Sequence, residues 1–244
     1  MPIGTPASAR TSRQIELVDL IVALVATLSF VWLGAKVSHE GTTPFDANLR
    51  QWIHSFSGPG MTQLLSVATV LGSQAVVIGA SACFAILMFL QRRHALALLV
   101  VVTMSGAEVL LPILKRHFHR QRPEPFFDIG HPPSFSFPSG HALLSFCCYG
   151  LLAALGSAYF RGRIRWLIRI CAAALILAIG VSRIYLGVHY PTDVIAGYLV
   201  AIAWTAVVAA IYAHFASRGD VALVRLVKFV GRASQLASRL ERRR

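Results

Sequence analysis

The chain has 244 residues, of which 56% are hydrophobic and only 14% charged, and its mean hydropathy is +0.64. A soluble domain carries roughly 25% charged residues, so the deficit and the long apolar runs exclude a soluble globular protein and indicate an integral membrane one. The formal net charge of +13 does not indicate nucleic acid either, because the basic residues lie mainly between and after apolar segments, where they suit anionic lipid headgroups.

Residues 1–15 are polar and read as a cytoplasmic tail. The apolar run 18–37 approaches the ~20 residues a spanning helix needs and is too long for a signal-peptide core. Glu16 and Asp19 then lie in the headgroup zone. Segment 38–60 is polar and aromatic (Asp46, Arg50, Trp52, His54, Phe56) and predicts a short interfacial helix. Segment 61–90 is one apolar run. As a straight helix it would be about 45 Å long, more than a bilayer core requires, so a break or strong tilt is predicted near Gly72-Ser73.

Further spans are predicted at 95–114, 140–160, 166–186 and 194–215, with Arg92-Arg93-His94 and Arg161, Arg163 and Arg165 in two of the connections. The expectation is an all-α, six-span bundle over 16–216, followed by a basic tail, 217–244. The apolar spacing of that tail fits either an amphipathic helix on an anionic leaflet or a solvated segment. Cys83, Cys147, Cys148 and Cys171 all fall in apolar runs without CxxC spacing, which reads as core packing rather than a disulfide framework or metal site.

With the amino terminus cytoplasmic, 16 of the 23 Lys and Arg residues fall on the cytoplasmic side, in accord with the positive-inside rule. Both termini are then cytoplasmic. The other seven (Lys36, Arg50, Lys115, Arg116, Arg120, Arg122, Arg183) lie toward the outer face, and five of them follow or end the third and fifth spans. Positive charge on the disfavoured side calls for an anionic ligand.

Three stretches carry chemistry, and six spans place all of them on that outer side. Lys115 to Arg122-Pro123 joins a point charge to a guanidinium fork, a pairing that neutralises a phosphate dianion. Alone it fits headgroup snorkelling better. Pro138-Ser139-Gly140-His141 precedes the fourth span: Ser139 is placed as a helix N-cap, Gly140 permits close approach to the backbone, and the helix end attracts an anion. Alone it could be an ordinary capped helix. Ser182-Arg183 to His189 and Asp193 puts a carboxylate four residues after an imidazole, on one face if the chain is helical there. Such a carboxylate can hold one ring nitrogen and leave the other to attack.

Together, Lys115-x6-Arg122-Pro123, Pro138-Ser139-Gly140-His141 and Ser182-Arg183-x5-His189-x3-Asp193 resemble, without a substitution, the tripartite signature of the type-2 phosphatidic acid phosphatase superfamily, over roughly residues 95–210. The resemblance implies a membrane lipid phosphatase with His189 as nucleophile, Asp193 orienting it, and His141 as general acid and then base. Lys115, Arg122, Arg183, Ser139 and the Gly140 amide would hold the phosphate oxygens. Three cations and a helix end supply the charge stabilisation that phosphoryl transfer needs, so neither a metal nor a cofactor is expected. The substrates to expect are undecaprenyl diphosphate, phosphatidylglycerophosphate or phosphatidic acid, in a bacterial cytoplasmic membrane containing anionic lipids. The same residues would serve a phosphotransferase acting, for example, onto lipid A. A non-catalytic lipid-phosphate binder or transporter would not need both His141 and His189 with Asp193. The oligomeric state is not legible.

His117, His119 and His131 could suggest a metal cluster, but the surrounding Arg116, Arg120 and Arg122 would repel a divalent cation. Glu108, seven residues before Lys115, projects in a similar direction. It would line the lower cleft, pair with a cation, or be a protonated carboxyl bonded to a neighbouring helix; no catalytic role is assigned to it.

Overall fold

The structure is a computed structural model, in which residues 6–39, 42–128, 130 and 133–217 are described. The basic tail beyond Ser217 and His131 lie outside the described residues. The element order is α1 (Pro6–Ser38), α2 (Thr43–His54), α3 (Pro59–Leu71), α4 (Gln74–Leu90), α5 (His94–Phe118), α6 (Gly140–Ser145), a π-helical turn (Phe146–Gly150), α7 (Leu151–Ser157), α8 (Gly162–Tyr185) and α9 (Pro191–Ser217).

Five helical segments are long and apolar enough to cross a membrane: Gln14–Ser38, His94–Phe118, Gly140–Ser157, Gly162–Tyr185 and Pro191–Phe215. Counting the α3–α4 pair, bent by 50°, as one broken span makes six. The outward side chains along these helices are apolar, including Leu24, Leu28 and Trp32 on α1 and Leu167, Ile170 and Leu177 on α8. That is the pattern of a bundle whose outer surface meets hydrocarbon and whose backbone polar groups are satisfied within helices.

Most of the sequence-predicted elements are present, with two differences, at the start of the first helix and within the fourth span. The first helix starts at Pro6, so part of the expected tail is helical. The long apolar run does break at Gly72-Ser73, and the break brings the chain against the core: a Cβ on Gly72 would lie 2.3 Å from Ile179 Cγ2 and 3.2 Å from His141 Cδ2. The fourth span carries a π-helical turn just after His141, a local widening that often accompanies functional sites.

α1 packs along α9, and the core lies between them and the α4, α5 and α6 helices. Phe30, Phe118 and Phe137 form its upper layer: Phe30 stacks on Phe137 at 5.7 Å, and Phe118 meets Phe137 edge-on at 4.7 Å. This aromatic layer ties the end of α5 to the start of α6, so that the two motif-bearing ends sit side by side. The predicted interfacial helix is α2, whose exposed Phe45 and Trp52 oppose a fully buried Asp46.

Candidate active site

The chain leaves α8 through a tight turn that positions His189. Gly187 adopts φ +80°, and a Cβ there would lie 2.5 Å from the Phe126 backbone nitrogen, so the turn both needs a left-handed residue and has no room for a side chain. The His189 N–H donates back to the Arg183 carbonyl at 3.3 Å. Pro191 then opens α9, at a position where a missing N–H costs nothing. Asp193 stands in the first turn, where the helix dipole favours a carboxylate.

His189 and Asp193 are therefore not on one helical face, as continuous helix would require. His189 precedes α9, and the turn brings its Nδ1 to 3.2 Å from Asp193 Oδ2. The same oxygen accepts the Tyr190 N–H at 2.9 Å. His189 is 2% exposed and Asp193 fully buried.

Arg122 Nη1 lies 2.9 Å from His189 Nε2. A guanidinium only donates, so Nε2 is the acceptor and the ring proton sits on Nδ1, facing Asp193. Burial pushes the His189 imidazolium well below the ordinary histidine range, and the charges of Arg122, Arg183 and Lys115 push it the same way. The ring is neutral, with its lone pair toward the cations.

Arg122 is anchored by bonds from Nε to the Ser134 carbonyl at 2.7 Å and from Nη1 to the Val188 carbonyl at 2.8 Å. Lys115, buried in the last turn of α5, donates Nζ to the Phe135 carbonyl. Arg183, in the last turn of α8, donates Nη1 to Thr69 Oγ1 at 2.6 Å, while its buried Nε has no hydrogen-bond partner among the described residues. His141 lies within electrostatic reach of Arg183, His189, Arg122 and Lys115. The three sequence stretches thus converge on one buried cluster.

One predicted role differs in detail. Ser139 occupies the N-cap position of α6 but makes no side-chain cap bond; its buried Oγ has no partner among the described residues, and its N–H donates to the Asp193 carbonyl at 2.9 Å. A Cβ on Gly140 would lie 2.8 Å from Leu111 Cδ2, so the packing of Leu111 also calls for a glycine there. Among the described residues Glu108 pairs with no cation, and Gln74 Nε2 donates to its Oε2 at 2.7 Å. The bond comes from a neighbouring helix, as one expected alternative had it, but the carboxyl is half-buried rather than buried and accepts rather than donates. Among the described residues, no group of three His, Cys, Asp or Glu side chains is arranged to hold a metal.

Sequence reasoning missed a second layer. Arg120 donates Nη1 to Asp193 Oδ1 at 2.6 Å and Nη2 to Asp46 Oδ2 at 2.7 Å. Asp46 also accepts from the Thr192 N–H at 3.0 Å and the Thr192 hydroxyl at 2.7 Å. Arg120 was counted among the outer cations that call for an anionic ligand, and nothing local connects it to Asp46, which precedes it by more than seventy residues.

The sequence model of the PAP2 superfamily matches residues 94–216, half of the chain. Phosphatidylglycerophosphatase B of Bacillus subtilis is 29% identical over 179 residues, covering 70% of this chain and 85% of that protein. An undecaprenyl-diphosphatase of Sulfolobus acidocaldarius is 32% identical over 120 residues, covering 47% of this chain and 54% of that one. Among solved structures, the crystal structure of a transmembrane PAP2-type phosphatidylglycerolphosphate phosphatase from Bacillus subtilis superposes with a TM-score of 0.70 at 26% identity, covering 77% of this chain and 94% of that one. With the three signature stretches gathered around one imidazole, the chain belongs to the PAP2 superfamily.

Proposed function

We propose that this membrane lipid phosphatase removes the terminal phosphoryl group of a lipid phosphate or diphosphate through a phosphohistidine on His189. The observation that carries this reading is the orientation of the His189 ring, with Nδ1–H toward Asp193 and the Nε2 lone pair among Arg122, Lys115 and Arg183. A buried neutral imidazole fixed in one tautomer and surrounded by cations is a nucleophile prepared for a phosphoryl dianion.

In the reaction, Nε2 bonds to phosphorus as the bond to the leaving oxygen breaks, and His141, entering the step as the imidazolium that the bound phosphate dianion stabilises, gives that oxygen a proton and is left neutral. Arg122 transfers its hydrogen bond from Nε2 to a non-bridging oxygen. Arg183 Nε and the Ser139 hydroxyl, both buried and unpartnered among the described residues, supply further donors. His141 then takes a proton from water, which attacks phosphorus, breaks the P–N bond and leaves inorganic phosphate. Asp193 holds the Nδ1 proton throughout and balances the charge of the phosphorylated ring. The protein itself supplies the needed positive charge, so the reaction proceeds without a metal.

The phosphatase unit is residues 16–216, with six spans, the α3–α4 pair counting as one. The site faces the extracytoplasmic side and both termini lie in the cytoplasm, supported by the 16 of 23 cations on that side. A bacterial cytoplasmic membrane fits this charge pattern. A carboxy-terminal fluorescent fusion tests the orientation: it should fluoresce, and a dark, exported fusion would reverse the assignment. Undecaprenyl diphosphate, phosphatidylglycerophosphate and phosphatidic acid all present the terminal phosphoryl group that this site accepts.

The deciding experiment gives purified protein in detergent each of these lipids, with and without a chelator. Inorganic phosphate should be released in both cases, and an acid-labile phosphoryl group should be trapped on wild type but not on His189→Ala. Full-rate turnover by His189→Ala rejects the nucleophile, loss of activity on chelation rejects the metal-free mechanism, and phosphate passing only to a second lipid identifies a transferase.

A further inference from the structure

Behind the candidate nucleophile lies a charge arrangement that phosphate binding does not need. Asp193 and Asp46 are both fully buried, and buried carboxylates are costly unless paired. A single guanidinium, Arg120, pairs with both. Its Nη1 reaches Asp193 Oδ1 at 2.6 Å and Thr192 Oγ1 at 2.8 Å, its Nη2 reaches Asp46 Oδ2 at 2.7 Å, and its plane lies over the Tyr190 ring at 4.1 Å. Burial lowers its affinity for a proton, but the neighbouring carboxylates Asp193 and Asp46 more than reverse that effect.

The arrangement has a direction. Asp193 presents Oδ2 to His189 and Oδ1 to Arg120, on opposite sides of one carboxylate. With both terminal nitrogens of Arg120 so committed, it differs from Arg122, which bonds directly to the imidazole. Asp46 in turn fixes Arg120, and it also holds the start of α9 through the Thr192 N–H and hydroxyl. It comes from α2, the interfacial helix, so the chain of contacts runs from the outer membrane surface to the ring: Asp46, Arg120, Asp193, His189.

We propose that Arg120 and Asp46 are positioning residues for phosphoryl transfer: Arg120 clamps the face of Asp193 away from His189, and Asp46 fixes Arg120 and the first turn of α9. The proposal rests on the His189–Asp193 reading above. It assigns α2 a part in the chemistry: the helix holds the group that aligns the nucleophile. A ring displaced by a fraction of an ångström still binds phosphate among Lys115, Arg122 and Arg183 but attacks slowly, so the loss falls on kcat and not on KM.

The test uses full-length purified protein and phosphatidic acid in mixed micelles. Arg120→Gln should lower kcat by about 10- to 100-fold while KM changes less than about threefold. Arg120→Lys, which keeps one charge and loses the fork, should recover part of that loss. Asp46→Asn should show a smaller fall in kcat, and the double variant Asp46→Asn/Arg120→Gln should lose less than the product of the two single losses, because residues acting through one chain of contacts are not additive. A guard against misfolding is Arg120→Gly with added guanidinium chloride at millimolar concentration: rescue of kcat supports the clamp, since a merely unfolded variant cannot be rescued.

Wild-type kcat in Arg120→Gln overturns the proposal. So does a KM rise as large as the fall in kcat/KM, which would make Arg120 a phosphate ligand, and so does strict additivity in the double variant. His189→Ala in the same assay separates the two readings. An inactive His189→Ala with a fully active Arg120→Gln sinks the clamp alone, whereas an active His189→Ala sinks the nucleophile on which it rests.

Discussion

Arg122 donates to Nε2 of His189 at 2.9 Å, and that contact fixes which nitrogen of the ring is free to react. A guanidinium carries no acceptor, so the lone pair must belong to the imidazole. On the proposed mechanism the resting bond also marks where the phosphoryl oxygens sit, since the donor that holds the candidate nucleophile would then hold the substrate. Arg122→Gln should therefore damage binding and chemistry together, lowering kcat/KM by about 10³-fold with a rise in KM. Arg122→Lys keeps the charge without the fork and should be intermediate. Steady-state kinetics on both variants check this; an unchanged KM in Arg122→Gln would place Arg122 outside the phosphate site.

Asp193→Asn tests the tautomer. The amide can present its NH₂ to Nδ1, which then becomes the acceptor and moves the proton to Nε2, the attacking position. A loss of about 10³- to 10⁴-fold in kcat is expected, with the protein still folded and still binding vanadate. Activity within tenfold of wild type would show that Asp193 does not set the ring proton.

The helical order, the break at Gly72-Ser73 and the three converging stretches were legible because each has a local signature: apolar run length, a small-residue pair, and polar residues at the edges of apolar runs. Asp46 and Arg120 were not. Their meaning lies in a contact between α2 and the loop after α5, and no periodicity within either segment encodes a partner so distant in sequence. The geometry of the His189–Asp193 pair was half legible. A spacing of four suggested a shared helical face, but Pro191 starts the helix two residues after His189, and the left-handed Gly187 turn achieves the same proximity by another route. Gly140 shows a second constraint that the sequence did not reveal: Leu111 packs where its side chain would be.

The depressed His189 proton affinity predicts a pH dependence of stability. The group is a base whose folded-state pKa lies below its unfolded value of about 6.5. Above about pH 6.5 it is neutral in both states and contributes no pH dependence. As pH falls below that value the unfolded chain takes up a proton that the folded protein refuses, so stability is lost toward the folded pKa, at up to ~1.4 kcal/mol per pH unit. Unfolding midpoints between pH 7.5 and 5 should fall more steeply for wild type than for His189→Asn, which removes the titrating group. Parallel slopes would mean that the folded ring accepts a proton as readily as the unfolded one.

Gly72 gives the sharpest test of how the broken span serves the site. Its φ of −86° suits any residue, so a substitution there introduces no backbone strain and acts only through the new methyl group. That methyl would meet Ile179 Cγ2 at 2.3 Å and His141 Cδ2 at 3.2 Å, and Ile179 is fully buried. Gly72→Ala should therefore cost about 1–3 kcal/mol of stability by overpacking and, by displacing His141, lower kcat by about tenfold or more. Gly79→Ala, in the same broken span but with nothing within 4 Å of the added Cβ, should leave kcat unchanged and be neutral or slightly stabilising. Combining Gly72→Ala with Ile179→Ala removes the closer of the two contacts and should restore part of the activity, because the added methyl can then shift away from the His141 ring. Equal kcat values for Gly72→Ala and Gly79→Ala would show that the break does not bear on His141, leaving its close approach a matter of packing alone.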